Sequence, residues 1–97
     1  MFARVHVLQT TTEQSESGLE IVRDQLLPWL RDASGYRGLI RLLDRENGKT
    51  LVISLWADEE ALKASTDAGE QLAELTAQTT GATRLAIELY EATLIDV

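Results

Sequence analysis

The sequence predicts an α+β domain: a four-stranded antiparallel sheet with two helical regions packed on one face. Three observations carry this. Alternating segments lie near both ends and in the middle of the chain. Helical spacings fill the two stretches between them. An Asn-Gly pair sits where a tight hairpin turn is needed.

Residues 2–9 alternate, with Phe2, Arg4, His6 and Leu8 on one side and Ala3, Val5, Val7 and Gln9 on the other, which is the pattern of a strand. Thr10-Thr11-Thr12 ends it. Leu19, Val22, Leu26 and Leu30 then recur at helical spacing. Both Thr11 with Gln14 and Ser17 with Glu20 have the spacing of a capping box, so the start stays open between them. Pro28 lacks an N–H and crowds the preceding turn, so it should kink the helix or split off its last turn. Gly35 is the expected stop.

Residues 36–57 read as a hairpin. Asn47-Gly48 favours a two-residue turn, since both central residues of that turn need positive φ. That loop pairs Leu39 with Trp56, Arg41 with Ser54 and Leu43 with Val52, and on the other face Ile40 with Leu55 and Leu42 with Ile53. Asp58 looks like the N-cap of the second helical region, followed by Glu59 and Glu60 at the positive end of the helix dipole. Gly69 is a candidate break, and Thr79-Thr80-Gly81 ends the region. Residues 83–95 alternate again, with Leu85, Ile87 and Leu89 opposite Arg84, Ala86, Glu88 and Tyr90. The order β-α-β-β-α-β in one domain spanning residues 1–97 predicts a ferredoxin-like sheet. Right-handed crossovers would put its first and third strands at the centre.

Composition narrows the function. Hydrophobic residues make up 44% and charged residues 26%, which are globular values. A net charge of -7 would repel phosphate backbones, so no nucleic-acid partner is expected. No apolar run approaches the ~20 residues that span a bilayer, and the N-terminus lacks the apolar stretch of a signal peptide, so a cytoplasmic protein without a membrane partner is expected. The absence of cysteine removes thiolate metal sites and cysteine nucleophiles. One histidine, no ligand spacing and no Gly-rich phosphate loop lead to the expectation of no metal, flavin or haem.

Two helices cover one face of a four-stranded sheet. The all-apolar set Val5, Val7, Ile40, Leu42, Ile53, Leu55, Ile87 and Leu89 is the expected partner of the helices. The other face carries Arg4, His6, Leu8, Leu39, Arg41, Leu43, Val52, Ser54, Trp56, Glu88 and Tyr90. It is too apolar for a wet surface and too polar for a dry core. A half-open pocket closed by a second copy of the chain meets both conditions, so a homodimer is expected.

Gly35-Tyr36-Arg37-Gly38 entering the second strand, Asn47-Gly48-Lys49 at the hairpin, and the run from Ile53 through Trp56-Ala57-Asp58-Glu59-Glu60 to Leu62 resemble the dimeric α/β-barrel superfamily. Within it they are similar to the antibiotic-biosynthesis-monooxygenase-like group. That resemblance implies a barrel formed by two subunits. It also implies an activity among cofactor-independent oxygenases of phenolic polyketides, haem-degrading enzymes, or members without known activity. The haem-degrading branch places a tryptophan and a histidine in the second helical region and an asparagine on the first strand. Residues 58–81 contain neither, and the first strand has no asparagine.

Within the pocket, His6 can take a phenolic proton or serve as a structural histidine bonded to Glu88 or to the partner subunit. Arg41 and Arg4 can hold a phenolate, carboxylate or oxyanion, or form salt bridges with Glu88 or at the dimer rim. Trp56 can stack on an aromatic ligand or pack at the sheet end, and Tyr90 can offer its hydroxyl. Ser54 can pair with His6, although no nucleophile motif surrounds it. His6 and Arg41 are thus the candidate catalytic residues. Arg4, Leu39, Leu43, Ser54, Trp56, Glu88 and Tyr90 are the candidate substrate-binding residues. The expected function is cofactor-independent monooxygenation of a small aromatic or polyketide-like ligand. The alternative is a non-catalytic binding or accessory barrel.

Overall fold

A computed structural model describes residues 1–97. The chain runs β1 (Phe2–Gln9), α1 (Thr12–Ile21), a π-helical turn (Val22–Leu26), α2 (Leu27–Asp32), β2 (Tyr36–Asp44), β3 (Lys49–Trp56), α3 (Glu59–Ala64), α4 (Thr66–Thr80) and β4 (Thr83–Glu91). The strands lie in the order β2-β3-β1-β4 and every neighbouring pair is antiparallel. This is the ferredoxin-like arrangement, with β1 and β3 central. No helix is long and apolar enough to cross a membrane.

Of the two possible caps for the first helix, the structure uses Thr11. Its hydroxyl accepts from Gln14 N at 3.1 Å, and its own N–H donates to Gln14 Oε1 at 3.0 Å. Pro28 does not split the helix. The backbone widens into the π turn just before it, and Leu27 N–H donates to Val22 O five residues back. Asp58 caps α3, its carboxylate accepting from Ala61 N at 2.8 Å. The break in the second helical region falls at Ser65 and not at Gly69, which sits inside α4. Gly81 closes α4 with φ +79°. β4 stops at Glu91, earlier than the alternation suggests.

The hairpin register differs from the expected one. Residues 45–48 all lie in the turn, so Leu39 pairs with Ser54, Arg41 with Val52 and Leu43 with Thr50. The Asp44 carboxylate accepts from Asn47 N at 3.2 Å and from Asn47 Nδ2 at 2.7 Å. That side-chain brace holds a four-residue loop in place of the tight two-residue turn. The shift is two residues, so both β2 and β3 keep their face sets.

Which face the helices cover is the larger correction. Arg4, His6, Leu39, Arg41, Val52, Ser54 and Trp56 lie beneath the helices, whereas the apolar face stays open, with Ile40 42% and Leu42 47% exposed. Arg4, Ser54 and the Nη2 of Arg41 find partners in the helix backbone and in hydroxyls, which weakens the desolvation argument that placed them outside, while His6 stays neutral and unpaired. β4 is also out of phase with the expected sets. Arg4 pairs with Leu89 and His6 with Ile87, while Glu88 and Tyr90 pair with Val5 and Ala3 on the open face. The bulge between Val7 and Leu8 is the cause: Arg84 still pairs with Leu8 as the alternation expects, and the one extra residue after it exchanges the two sides of β4 from Ala86 onward.

The densest core lies at one end of the space between helices and sheet. Trp56 is 0% exposed and packs with Leu30 and Leu62, flanked by Phe2, Leu26 and Tyr36. Its indole N–H donates to Ser54 Oγ at 2.9 Å, and the Tyr36 ring meets it edge-on at a centroid distance of 5.9 Å. Gly35 joins this core to the β2 entry. It has φ +81°, its carbonyl accepts from Ala57 N at 2.8 Å, and a Cβ there would run into the Ala61 side chain. Gly35→Ala should therefore cost roughly 2–4 kcal/mol in urea unfolding. Adding Ala61→Gly should recover the steric part only. Full stability in the single variant would show that neither constraint operates.

Candidate functional site

Beyond that core, the helices and sheet stand apart around a cavity of about 790 Å³ of empty space, its open mouth included. Its existence follows from α4. The residues this helix turns inward are Gly69, Ala73, Thr76, Ala77 and Thr80, a stripe of small side chains that cannot fill the gap to the sheet. The opposite wall is larger, with Val22 and Leu26 from the π turn and Trp29 and Leu30 from α2. The floor is the covered sheet face. Two rows of it matter. Leu89, Arg4, Ser54 and Leu39 form one row across the four strands, and Ile87, His6, Val52 and Arg41 form the next.

Arg4 is only 4% exposed. Its Nη2 donates to Leu62 O at 2.7 Å and Thr66 Oγ1 at 2.8 Å, and its Nη1 donates to Ser65 Oγ at 3.1 Å. Arg41 Nη2 donates to Ser15 O at 2.7 Å and Ser15 Oγ at 3.2 Å, while its Nε is buried with no partner. Each guanidinium passes beneath a helical glycine. A Cβ on Gly69 would meet Arg4 Nη1 at 3.2 Å, and one on Gly18 would meet Arg41 Nη2 at 3.3 Å. Burial lowers the pKa of both arginines, and for Arg4 the nearby Glu70 works against it. Both stay charged at neutral pH. Neither forms the expected salt bridge with Glu88, which lies on the other face.

His6 faces the cavity from β1, and its Nδ1 is buried without a partner. Burial, then the positive charges of Arg4 and Arg84, lower its pKa to about 4, against the weaker pull of Glu70. Glu70 is itself engaged by Arg84 at 2.6 Å. No carboxylate lines the cavity, and the structure holds no group of three side chains able to ligate a metal.

The structure therefore gathers His6, Arg41, Arg4, Leu39 and Ser54 around one space. It leaves out four other candidates. Trp56 is sealed in the core, Leu43 lies by the hairpin outside the cavity wall, and Glu88 and Tyr90 are on the open face. Ser54 sits across from Arg4, while His6 faces Val52, so the Ser54–His6 pairing is not formed by the register. Sequence reasoning missed Trp29, Gly18 and Gly69. Trp29 falls in helical phase with Val22 and Leu26, and the glycines sit mid-helix, where glycine costs stability unless something approaches closely.

No family model matches the chain. It is 31% identical over 91 residues to the uncharacterized protein Rv2557 of Mycobacterium tuberculosis H37Rv, and 30% identical over 67 residues to Rv2558 of the same strain. It spans 40% and 28% of those proteins, respectively, so it matches only part of each. Among solved structures, a candidate antibiotic biosynthesis monooxygenase from Deinococcus radiodurans superposes with a TM-score of 0.74. It is 19% identical, covering 100% of this chain and 98% of the other. SnoaB, a cofactor-independent oxygenase from Streptomyces nogalater, gives 0.70 at 14% identity over 97% and 94% of the two chains. The monooxygenase ActVA-Orf6 of Streptomyces coelicolor, in complex with Nanaomycin D, gives 0.67 at 12% over 99% and 92%. The chain has the fold of the antibiotic-biosynthesis-monooxygenase-like proteins.

Proposed function

We propose that the chain is a cofactor-independent monooxygenase of a small aromatic or polyketide-like molecule, working as a cytoplasmic homodimer. One observation carries this reading. The cavity sets His6, two guanidiniums and Trp29 around an apolar space, in a fold shared with one protein named a cofactor-independent oxygenase and another solved with Nanaomycin D. His6 would take the acidic proton of a hydroxylated anthrone-type substrate, and Arg41 or Arg4 would stabilise the resulting anion. The anion supplies the electrons to O2, a hydroperoxide forms at the ring carbon, and loss of water leaves a carbonyl. One oxygen atom stays in the product and the other leaves as water. The protein's part is position and electrostatics.

A specific observation favours a second reading, the non-catalytic binding barrel. A histidine with pKa about 4 is roughly 300-fold weaker as a proton acceptor than a free one. Such a group is well suited to donate or accept a hydrogen bond and poorly suited to deprotonate a phenol.

Dimerisation is supported by the open face, where Ile40, Leu42 and Tyr90 are exposed beside half-buried Val5, Ile53 and Leu55. Light scattering at micromolar concentration should report twice the chain mass, and Leu42→Glu should shift it toward the single-chain mass. A wild-type monomer would remove the dimer from this reading.

Oxygen uptake with a panel of phenols and anthrones, without added cofactor, tests the chemistry. His6→Ala and Arg41→Ala should each lower turnover, the former by about 10²–10⁴-fold if His6 is the base. Binding without oxygen consumption would select the accessory barrel. Equal rates in all three proteins would reassign the residues.

The pH dependence follows from the lowered pKa of His6. The base is competent when neutral, so kcat/KM should rise through about pH 4 and stay flat above about pH 5. The unfolded chain binds this proton near pH 6.5 and the folded chain near pH 4, so the native state loses stability as pH falls across that window. His6→Gln should flatten this part of the urea-stability profile, by on the order of 3 kcal/mol at most. A profile unchanged by the substitution would place the titration elsewhere.

A further inference from the structure

We propose that the cavity selects an organic anion, an aromatic carboxylate, whose charged end pairs with the Arg41 guanidinium. This rests on the reading of the cavity as a ligand site and names the class of ligand it takes. The chain carries a net charge of -7, yet the lining of its main cavity holds two guanidiniums and no carboxylate. Positive charge drawn out of water without a counter-ion is unfavourable unless something supplies the opposite sign. Arg4 is largely satisfied, with three hydrogen bonds from its Nη atoms into the α3–α4 junction. Arg41 is not. Only its Nη2 is engaged, by Ser15, and its Nε is buried with no acceptor. No acidic side chain forms an ion pair with it.

The seat of Arg41 is also built. Gly18 gives up the side chain that would press on Nη2, so the guanidinium is held in place beneath α1. Across Val52 in the same row stands His6, with a second unpartnered buried atom, Nδ1. The row therefore presents a fixed cation at its β2 end and, two strands away on β1, a neutral hydrogen-bonding ring. A carboxylate supplies the acceptor and the counter-charge that Arg41 lacks, and its aromatic body suits the wall of Val22, Leu26 and Trp29.

Isothermal titration calorimetry of the intact protein at pH 7 with 2-naphthoate and its neutral isostere 2-naphthamide tests this. The wild type should bind the carboxylate at least 10-fold more tightly than the amide. Arg41→Gln should bring the two within about threefold of each other, and Arg41→Lys should keep most of the preference. Circular dichroism verifies that the variants fold, and the wild-type ratio stands by itself if one does not. Equal affinities in the wild type, a preference for the amide, or no binding of either at millimolar concentration overturns the proposal. So does a folded Arg41→Gln that keeps its preference, or one lost only in Arg4→Gln. Oxygen is not consumed in this measurement. Failure of the oxygenase reading leaves the preference standing, and turnover of neutral anthrones without such a preference overturns this inference alone.

Discussion

Two guanidiniums on the sheet face that the helices cover govern the rest of this molecule. A buried arginine must find acceptors, and here these are backbone carbonyls and hydroxyls of the helices above: Leu62, Ser65 and Thr66 for Arg4, and Ser15 for Arg41. For a guanidinium to reach a helix backbone, the helix must lack a side chain at the crossing, and Gly69 and Gly18 provide that. Helices propped on polar side chains and lined with alanine and threonine do not close onto the sheet. Tight apolar packing is therefore confined to the Trp56, Leu30 and Leu62 end. The cavity and the displaced core have one cause.

The same cause sets the electrostatics. Each arginine is partly desolvated and remains charged, and it is the charge of Arg4 that reaches His6. His6 feels that charge and is partly buried, and both act to keep it neutral. Arg84 adds to the effect from the rim, although its pairing with Glu70 limits how far its charge is felt. A neutral imidazole beside fixed cations favours holding a polar or anionic ligand over removing a strongly held proton.

Much of the architecture was legible in the sequence. Alternation and helical spacing gave the element order, and Asp58 and Gly81 marked helix ends. The two face sets of β1, β2 and β3 were separable because the period of a strand is two. What alternation lacks is a label for which set meets the helices. Apolarity is not that label here, because Arg4 and Ser54 are satisfied in place and Arg41 is anchored through its Nη2 on Ser15. The hairpin register failed more gently. The Asp44–Asn47 brace lengthens the loop by two residues, which preserves parity and so moved no side chain across the sheet. β4 had no such safeguard, and Glu88 and Tyr90 left the site with it. His6, Arg4 and Arg41 are legible because a polar group on an otherwise apolar strand is conspicuous, whereas Trp29, one more apolar residue in a helical run, carries no such mark.

The wide turn at Val22–Leu26 has a geometric consequence for that tryptophan. A π turn is an α-helix that has absorbed one additional residue, and each residue of an α-helix advances the chain by about 100° around its axis. Everything after the turn is thus rotated relative to the face that α1 would have continued. At the present chain length, uniform α-helical winding through this segment would swing the indole of Trp29 about a quarter of the way round, out of the cavity wall, and the wide turn prevents that by absorbing one residue. The aromatic character of the site therefore depends on the wide turn forming between Val22 and Leu26 as much as on the identity of residue 29.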